Sequence, residues 1–386
     1  MNNWLEKYFR GDRVIWLVVM LLSIFSVLAV YSSTGTLAYK YKDGNTEYYL
    51  QKHLFILVFG FVLMYVVHLF RYTLYARLAN ISIIIAIPLL FFTLVMGTNL
   101  NEASRWLTLP IINMSFQTSD LAKLALILFV ARALSLKQDN IKDFKSAFIP
   151  IMLPVLITCG LIMPANLSTA AVLFTTCLTL MIIGRLSFKY ISALIGIGVV
   201  AFALFVSVSL ALGWEGRIKT WVARVESFMD PSKGSDNYQA QQASIAIAKG
   251  GVLGVGPGNS SQRNFLPHPY SDFIYAIIIE EYGMVGGALV VVLYLVLFYR
   301  AVRIARISPR AFATFAAIGC GFSLAFQAMI NMAVTVGLFP VTGQPLPMLS
   351  MGGTSIWFTS IAIGIILSVS RDIETEEEGG LQPVEK

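Results

Sequence analysis

Residues 14–31 read VIWLVVMLLSIFSVLAVY, eighteen positions with no charged side chain and only two serines among apolar groups. A helix on the surface of a water-soluble protein keeps one polar face. This one has none, so it belongs in lipid or in a very deep core. Crossing the hydrocarbon layer takes roughly 20 mostly apolar helical residues. The same pattern recurs at 54–70, 78–96, 147–163, 167–183, 191–212, 273–298, 311–336 and 356–369. Residues 121–134 form a weaker tenth run, because it carries Lys123 and Arg132. Helix is the default for each, since a backbone in lipid must satisfy its own hydrogen bonds. The alternation that would mark a membrane barrel is missing. The expectation is an all-α polytopic membrane protein of about ten transmembrane helices, with a long extracytoplasmic loop between the seventh and eighth.

The whole-chain composition agrees. Of 386 residues, 57% are apolar and 13% charged, where soluble domains carry roughly 25% charged residues. The first run lacks a small-residue cleavage site and reads as a retained helix rather than a signal peptide. Cys159, Cys177 and Cys320 all lie in apolar runs and imply neither a disulfide framework nor a zinc site. His53, His68 and His268 have no metal-ligand spacing.

Basic residues set the orientation. Ten crossings put both termini on one side, and 17 of the 28 Lys and Arg residues fall on that side. Ten fall on the other, six of them in the long loop, and Lys123 lies within a helix. Long loops report poorly on topology, and without this one the count is 17 against four. The termini are therefore expected in the cytoplasm. The net charge of +7 is mostly this topogenic signal, not a sign of nucleic acid.

The domain reading is a single membrane domain over 1–372, including the loop 213–271, and a disordered, acidic cytoplasmic tail over 373–386. Within the loop, Trp214, Trp221, Val222, Val225 and Phe228 suggest an amphipathic helix lying on the outer leaflet. Tyr238 to Lys249 reads as a second helix, followed by Gly250, Gly251, Gly254, Gly256 and Gly258. Those glycines could offer backbone N–H groups to an anion, although no Walker or dinucleotide fingerprint is present.

Ionisable groups in or beside membrane helices are costly and are functional candidates by default. Asp272 opens the eighth helix at its outer end, where it reads as a general base or as a helix N-cap. Glu280 lies about 80° round and about 12 Å along that helix from Asp272, and Glu281 points to the opposite side. Both acids read as partners for basic groups in the bundle or as ligands for substrate. Lys123, three residues after Asp120, is either its ion-pair partner or a fixed cation for phosphate. Arg105, in the outer segment 97–116, has the guanidinium fork that suits phosphate oxygens, and Trp106 beside it reads as an interfacial anchor. On these residues the chain is either an enzyme acting on lipid-linked phosphates or a transporter of anionic lipids.

Four blocks resemble a known family. They are Arg105-Trp106-Leu107-Thr108-Leu109-Pro110, then Gln117-Thr118-Ser119-Asp120-Leu121-Ala122-Lys123, then Ser271-Asp272-Phe273 through Glu280-Glu281-Tyr282-Gly283, and last Gly337 to Pro347 with Gly352-Gly353-Thr354-Ser355. In order and spacing they are similar to the SEDS family of bacterial peptidoglycan polymerases, which includes the division type FtsW and the elongation type RodA. Residues 27–34 resemble the division type more. The chain departs from the family pattern at Asn166, where an acid is usual, and at Thr118, Asp120 and Tyr270.

The resemblance implies a peptidoglycan glycosyltransferase that polymerises lipid II on the outer face of the cytoplasmic membrane, in septal wall synthesis. It implies Asp272 as the catalytic base, with Arg105, Lys123, Gln117, Trp106, Ser271, Glu280 and Glu281 binding substrate. Implied partners are lipid II, the nascent glycan strand, membrane lipids, and a class B penicillin-binding protein of the FtsI type with other division proteins. No definite cofactor follows, and a divalent cation stays open. A lipid II flippase and a scaffold that recruits a penicillin-binding protein are the competing readings.

Overall fold

The computed structural model describes residues 10–41, 43–100, 103–109, 114–211, 217–230 and 237–380. Each of the ten predicted runs is a helix. In chain order the helices are α1 (Arg13–Ser33), α2 (Gly35–Tyr41), α3 (Thr46–Leu69), α4 (Tyr72–Met96) and α5 (Thr118–Leu136). A π-turn, Phe144–Phe148, leads into α6 (Ile149–Ile162), followed by α7 (Leu167–Ile183) and α8 (Phe188–Ala211). The predicted loop contains α9 (Arg217–Met229) and α10 (Asn237–Gly250). The chain then runs through α11 (Ile274–Ile307), α12 (Ala311–Thr335) and α13 (Thr354–Gly380). Among the described residues, eight helices are long and apolar enough to cross a membrane, and α7 is apolar but shorter.

The weak tenth run, α5, lies at the centre of the bundle. Ala122, Ala125, Leu126, Ile127, Val130, Ala131 and Leu134 are all buried, and the helix packs against α4, α7, α12 and α13. Its lower hydropathy follows from that position, because protein rather than lipid surrounds its charges. Arg132 Nη1 donates to the carbonyls of Ala76 and Arg77. Small residues bring the helices close. A Cβ on Gly364 of α13 would sit 2.8 Å from the Met64 carbonyl oxygen of α3.

Two features differ from the expectation. The outer segment between α4 and α5 is a three-stranded antiparallel sheet: β1 (Thr98–Leu100), β2 (Ala103–Leu109) and β3 (Met114–Gln117). Trp106 pairs with both Thr98 and Gln117. β1 and β3 are short, and β2, ASRWLTL, does not alternate apolar and polar positions, so period-two patterning does not announce them. At the other end, α13 continues through residues read as disordered tail. Ile373 is buried, and a Glu374 carboxylate oxygen accepts from Gly11 N at 2.8 Å. Residues 381–386 lie outside the described residues.

Both helices expected in the loop are present, and Trp214 lies outside the described residues. Ala243 and Ala246 of α10 pack with Leu266, Phe273, Ala276 and Ile277 at the start of α11. The Gln- and Ala-rich helix is thus part of the packing beneath Asp272.

Candidate functional site

Asp272 precedes the first residue of α11 by two positions. The N-cap itself is Phe273, whose side chain makes no cap bond. Asp272 Oδ1 accepts from Ser271 Oγ at 2.9 Å. Its backbone carbonyl accepts from Asn331 Nδ2 at 2.8 Å. Gly343, at φ +64, faces the carboxylate so closely that an added Cβ would lie 3.6 Å from Asp272 Oδ2. That positive φ suits glycine.

The segment 341–347 is held between Asp272 and α5 by two amides on α12. Asn331 Nδ2 also donates to the Gln344 carbonyl at 2.6 Å. One turn earlier, Gln327 Nε2 donates to the Pro345 carbonyl at 2.9 Å. Gln344 Nε2 reaches Thr169 Oγ1 on α7 at 2.5 Å, and Ser350 Oγ donates to the Ser271 carbonyl at 2.6 Å. Gln327, Asn331 and Gln344 are all buried, where an unmade hydrogen bond is costly.

This network reaches Lys123. Its Nζ lies 2.7 Å from Asp120 Oδ1 and donates to Gln327 Oε1 at 3.3 Å. The local ion pair is therefore formed. The cavity beside it, lined by Asp120, Lys123, Gln327, Ser355 and Thr359, has a volume of about 30 Å³. Gln117 ends β3, where its N–H donates to Thr354 Oγ1 at 3.3 Å and its Nε2 to Ser119 Oγ at 2.9 Å. Arg105 and Trp106 lie in β2, and their side chains are outside the described residues.

Glu280 and Glu281 are buried and bond to a separate set of residues. At Gly283 (φ 69, ψ −173) the helix α11 kinks, which frees backbone groups for the glycine-rich segment. Val255 N donates to the Glu280 carbonyl at 2.9 Å and Gly256 N to the Glu281 carbonyl at 3.0 Å. In return Met284 N donates to the Gly251 carbonyl at 2.9 Å. A Cβ on Gly254 would lie 2.2 Å from the Glu281 carbonyl oxygen, so only glycine allows this approach. The amides of Val255 and Gly256, within the stretch read as a candidate anion cradle, are thus committed to helix carbonyls.

The carboxylates fasten the residues that follow. The Glu280 carboxylate accepts from Ser260 Oγ, from Ser261 N at 3.0 Å and from Gln262 N at 3.2 Å, with Lys249 Nζ at 3.6 Å. Glu281 Oε1 accepts from Ser32 Oγ and from Ser260 N at 3.3 Å. Arg263 Nη1 donates to Ser32 Oγ at 3.2 Å. Asn166 is the N-cap of α7, its Oδ1 accepting from Thr169 N at 3.2 Å.

Two cavities adjoin the segment 340–342. One, of about 530 Å³, lies between α9 and α10 and includes Arg224, Phe228, Ser244 and Ile245. The other, of about 320 Å³, lies between α7, α8 and α9 and includes Asn166, Phe202, Val206, Trp221 and Arg224. Arg224, Pro340 and Val341 line both. Neither Arg224 nor the α12 amides stood out in the sequence. The amides have a signal there, two polar residues four apart in an apolar helix. Reading only ionisable groups as candidates passes over it.

Known proteins resemble this chain over nearly all its length. It is 32% identical over 364 residues to stage V sporulation protein E of Bacillus subtilis, covering 93% of this chain and 97% of the relative. It is 34% identical over 385 residues to a probable peptidoglycan glycosyltransferase FtsW of Trichlorobacter lovleyi, covering 96% of each. In fold it matches the rod shape determining protein RodA of Thermus thermophilus, with a TM-score of 0.67, 22% identity, and coverage of 95% of this chain and 98% of that one. It also matches a structure described as "Structural coordination of polymerization and crosslinking by a peptidoglycan synthase complex", with a TM-score of 0.70, 24% identity, and coverage of 94% and 98%. The family described as FTSW_RODA_SPOVE, cell cycle protein, matches residues 12–375, and on that match this multi-pass membrane protein belongs to the FtsW/RodA/SpoVE family.

Proposed function

We propose that this chain is a peptidoglycan glycosyltransferase that polymerises lipid II by inverting transfer, with Asp272 as general base. The observation that carries the reading is the setting of Asp272. Its carboxylate stands ahead of the first turn of α11, against Gly343, and Pro340 and Val341, shortly before that glycine, line both large cavities. In the reaction the acceptor sugar hydroxyl attacks the anomeric carbon of the donor. The new C–O bond forms as the bond to pyrophosphate breaks, and the hydroxyl proton passes to the Asp272 carboxylate. Undecaprenyl pyrophosphate leaves, and an α-linked donor yields a β-linked product. The family relatives named as peptidoglycan glycosyltransferases support this chemistry.

Catalysis belongs to the outer face of the cytoplasmic membrane, with both termini in the cytoplasm. The basic-residue count supports that orientation. A reporter inserted between Lys219 and Lys249 should read as extracytoplasmic, and one between Arg300 and Arg310 as cytoplasmic. The reverse pattern would overturn the proposed catalytic face.

The partner proposed is a single-pass class B penicillin-binding protein of the division machinery, with the septum as the site of action. The test uses purified protein in lipid bilayers, given lipid II with and without such a partner. Glycan polymer is expected, with a higher rate when the partner is present. Transbilayer movement of lipid II without polymer would favour the flippase reading, and neither product would favour the scaffold. The cavity of about 30 Å³ beside Lys123 has room for about one water molecule and not for a disaccharide, which weighs against a flippase path there.

A further inference from the structure

His53 lies inside the apolar helix α3 and has no exposed surface. An ionisable side chain in such a place is costly and needs a reason. Its Nε2 is 2.8 Å from Ser26 Oγ of α1. The Ser26 hydroxyl spends its one proton on the Leu349 carbonyl, at 2.8 Å. It therefore meets the ring as an acceptor, and Nε2 carries the hydrogen. Among the described residues no group bonds to His53 Nδ1. The ring is then neutral with its hydrogen on Nε2, since an N–H at Nδ1 as well would be a buried donor without a partner.

The Ser26 hydroxyl behaves unlike other helical hydroxyls of this chain. Thr93, Thr176, Ser244 and Thr335 each turn back to the carbonyl four residues earlier in their own helix, a common habit of such groups. For Ser26 that acceptor would be the Leu22 carbonyl. Instead the hydroxyl leaves α1 for a carbonyl 323 positions away, and the N–H of His53 on its lone pair holds it in that rotamer. The carbonyl belongs to the segment 344–351, which is non-helical and mostly buried. Ser26 is seven residues short of the end of α1 at Ser33, so the segment reaches about 10 Å inward of that end. Irregular backbone at such depth must find its partners in protein. The Pro347 carbonyl accepts from the Tyr294 hydroxyl of α11, and the Gln344 and Pro345 carbonyls rest on α12. Met348 has a φ of 62, a left-handed conformation that a Cβ disfavours and that persists only where the surroundings impose it.

We propose that His53 is a positioning residue for the glycosyl transfer. It locks the Ser26 hydroxyl onto Leu349, and the segment so seated fixes the backbone that presents Asp272. That last link is direct. Met351 N donates to the Tyr270 carbonyl at 2.9 Å, and Ser350 Oγ donates to the Ser271 carbonyl at 2.6 Å. Ser271 Oγ in turn donates to Asp272 Oδ1 at 2.9 Å. The histidine touches no reacting atom and acts through Ser26, and its effect on catalysis rests on the reading of Asp272 as the base. A donor without a charge, placed at the position of Nε2, is what the site requires.

The experiment follows the full chain in nanodiscs by polymerisation kinetics with lipid II and by hydrogen exchange over residues 344–351. His53→Leu should lower kcat about three- to tenfold, the scale of one hydrogen bond, and leave KM for lipid II unchanged. Ser26→Ala should lower kcat at least as much. The double variant should be no slower than Ser26→Ala alone, because His53 acts through that hydroxyl. His53→Gln, whose NH₂ group reaches the position of Nε2, should restore kcat, and His53→Asn, one carbon shorter, should not. Lowered thermal stability with parental kcat in His53→Leu would make the residue merely structural and overturn the assignment. So would losses that multiply in the double variant. Nitrogen-15 spectra of the histidine-labelled parent give a check that needs no variant to fold: His53 should carry its hydrogen on Nε2, and a ring protonated at Nδ1 would overturn the assignment. Exchange keeps the two readings apart. It should quicken over 344–351 in His53→Leu whether or not Asp272 is the base, whereas polymerisation by Asp272→Asn reports on the base alone. Unchanged exchange in His53→Leu would overturn the seating even with Asp272 established as the base.

Discussion

Asp272→Asn should lower lipid II polymerisation by about 10²–10⁴-fold, the usual contribution of a positioned general base, while the protein stays folded in the membrane. The substitution is nearly isosteric. Asn retains an oxygen that accepts from Ser271 Oγ, the bond that Asp272 Oδ1 makes at 2.9 Å. The tie between the Asp272 backbone carbonyl and Asn331 is independent of the side chain. The helix start rests on Phe273 as N-cap, so a structural cost from lost capping is small. The negative charge and the ability to take a proton disappear together. Asn331→Ala should act at one remove. It frees the Asp272 and Gln344 carbonyls together, loosening the carboxylate and the facing turn, and should cut activity less than Asp272→Asn does. Polymer yield from purified variants in the same bilayers decides the matter. Near-native polymerisation by Asp272→Asn would remove the base and the mechanism with it.

The sequence made the helices legible because lipid imposes one rule on every span. A run such as 14–31 has no polar face to confuse the reading, and α1 follows it closely. The same rule explains α5, whose charges looked like a weakness. Once it is central, Lys123 answers Asp120 and Gln327 inside the protein. Less legible was everything decided by contacts distant in sequence. Asn331 meets Asp272 across 59 positions, and Gln344 meets Thr169 across 175. Single-sequence periodicity carries no information on such pairs. The kink at Gly283 is of the same kind. Its Cβ would lie 2.1 Å from the Val252 carbonyl oxygen, a steric fact invisible until the glycine-rich segment is seen threading the opened helix. Glu280 and Glu281 were read as candidates because they are acids in an apolar run. The geometry gives their carboxylates protein partners from Ser32 to Gln262.

Glu280→Ala should therefore unfasten the segment 251–263 rather than merely weaken a ligand. Glu280 has no exposed surface, and its carboxylate collects Ser260 Oγ, Ser261 N, Ser261 Oγ and Gln262 N, with Lys249 as counter-charge. Each buried donor left unsatisfied typically costs about 1–3 kcal/mol, and Ser260 and Gln262 are both buried, so the loss is a large share of the roughly 5–15 kcal/mol that holds a typical folded domain. The cost falls locally, because α11 keeps its packing through Ile277, Ile278, Val290 and Tyr294. The freed segment leads straight into Leu266 and Phe273, which seat the start of α11 against α10, so Asp272 loses its setting and polymerisation falls as well. Glu280→Gln should fall between, since it keeps one acceptor oxygen but turns an NH₂ group toward backbone donors. Limited proteolysis within 251–263, followed beside thermal unfolding of the purified variants, separates this role from substrate binding. A clamp predicts faster cleavage and earlier unfolding in the order alanine, then glutamine, then parent. Full protease resistance and parental unfolding in Glu280→Ala, with activity lost, would instead make Glu280 a substrate ligand.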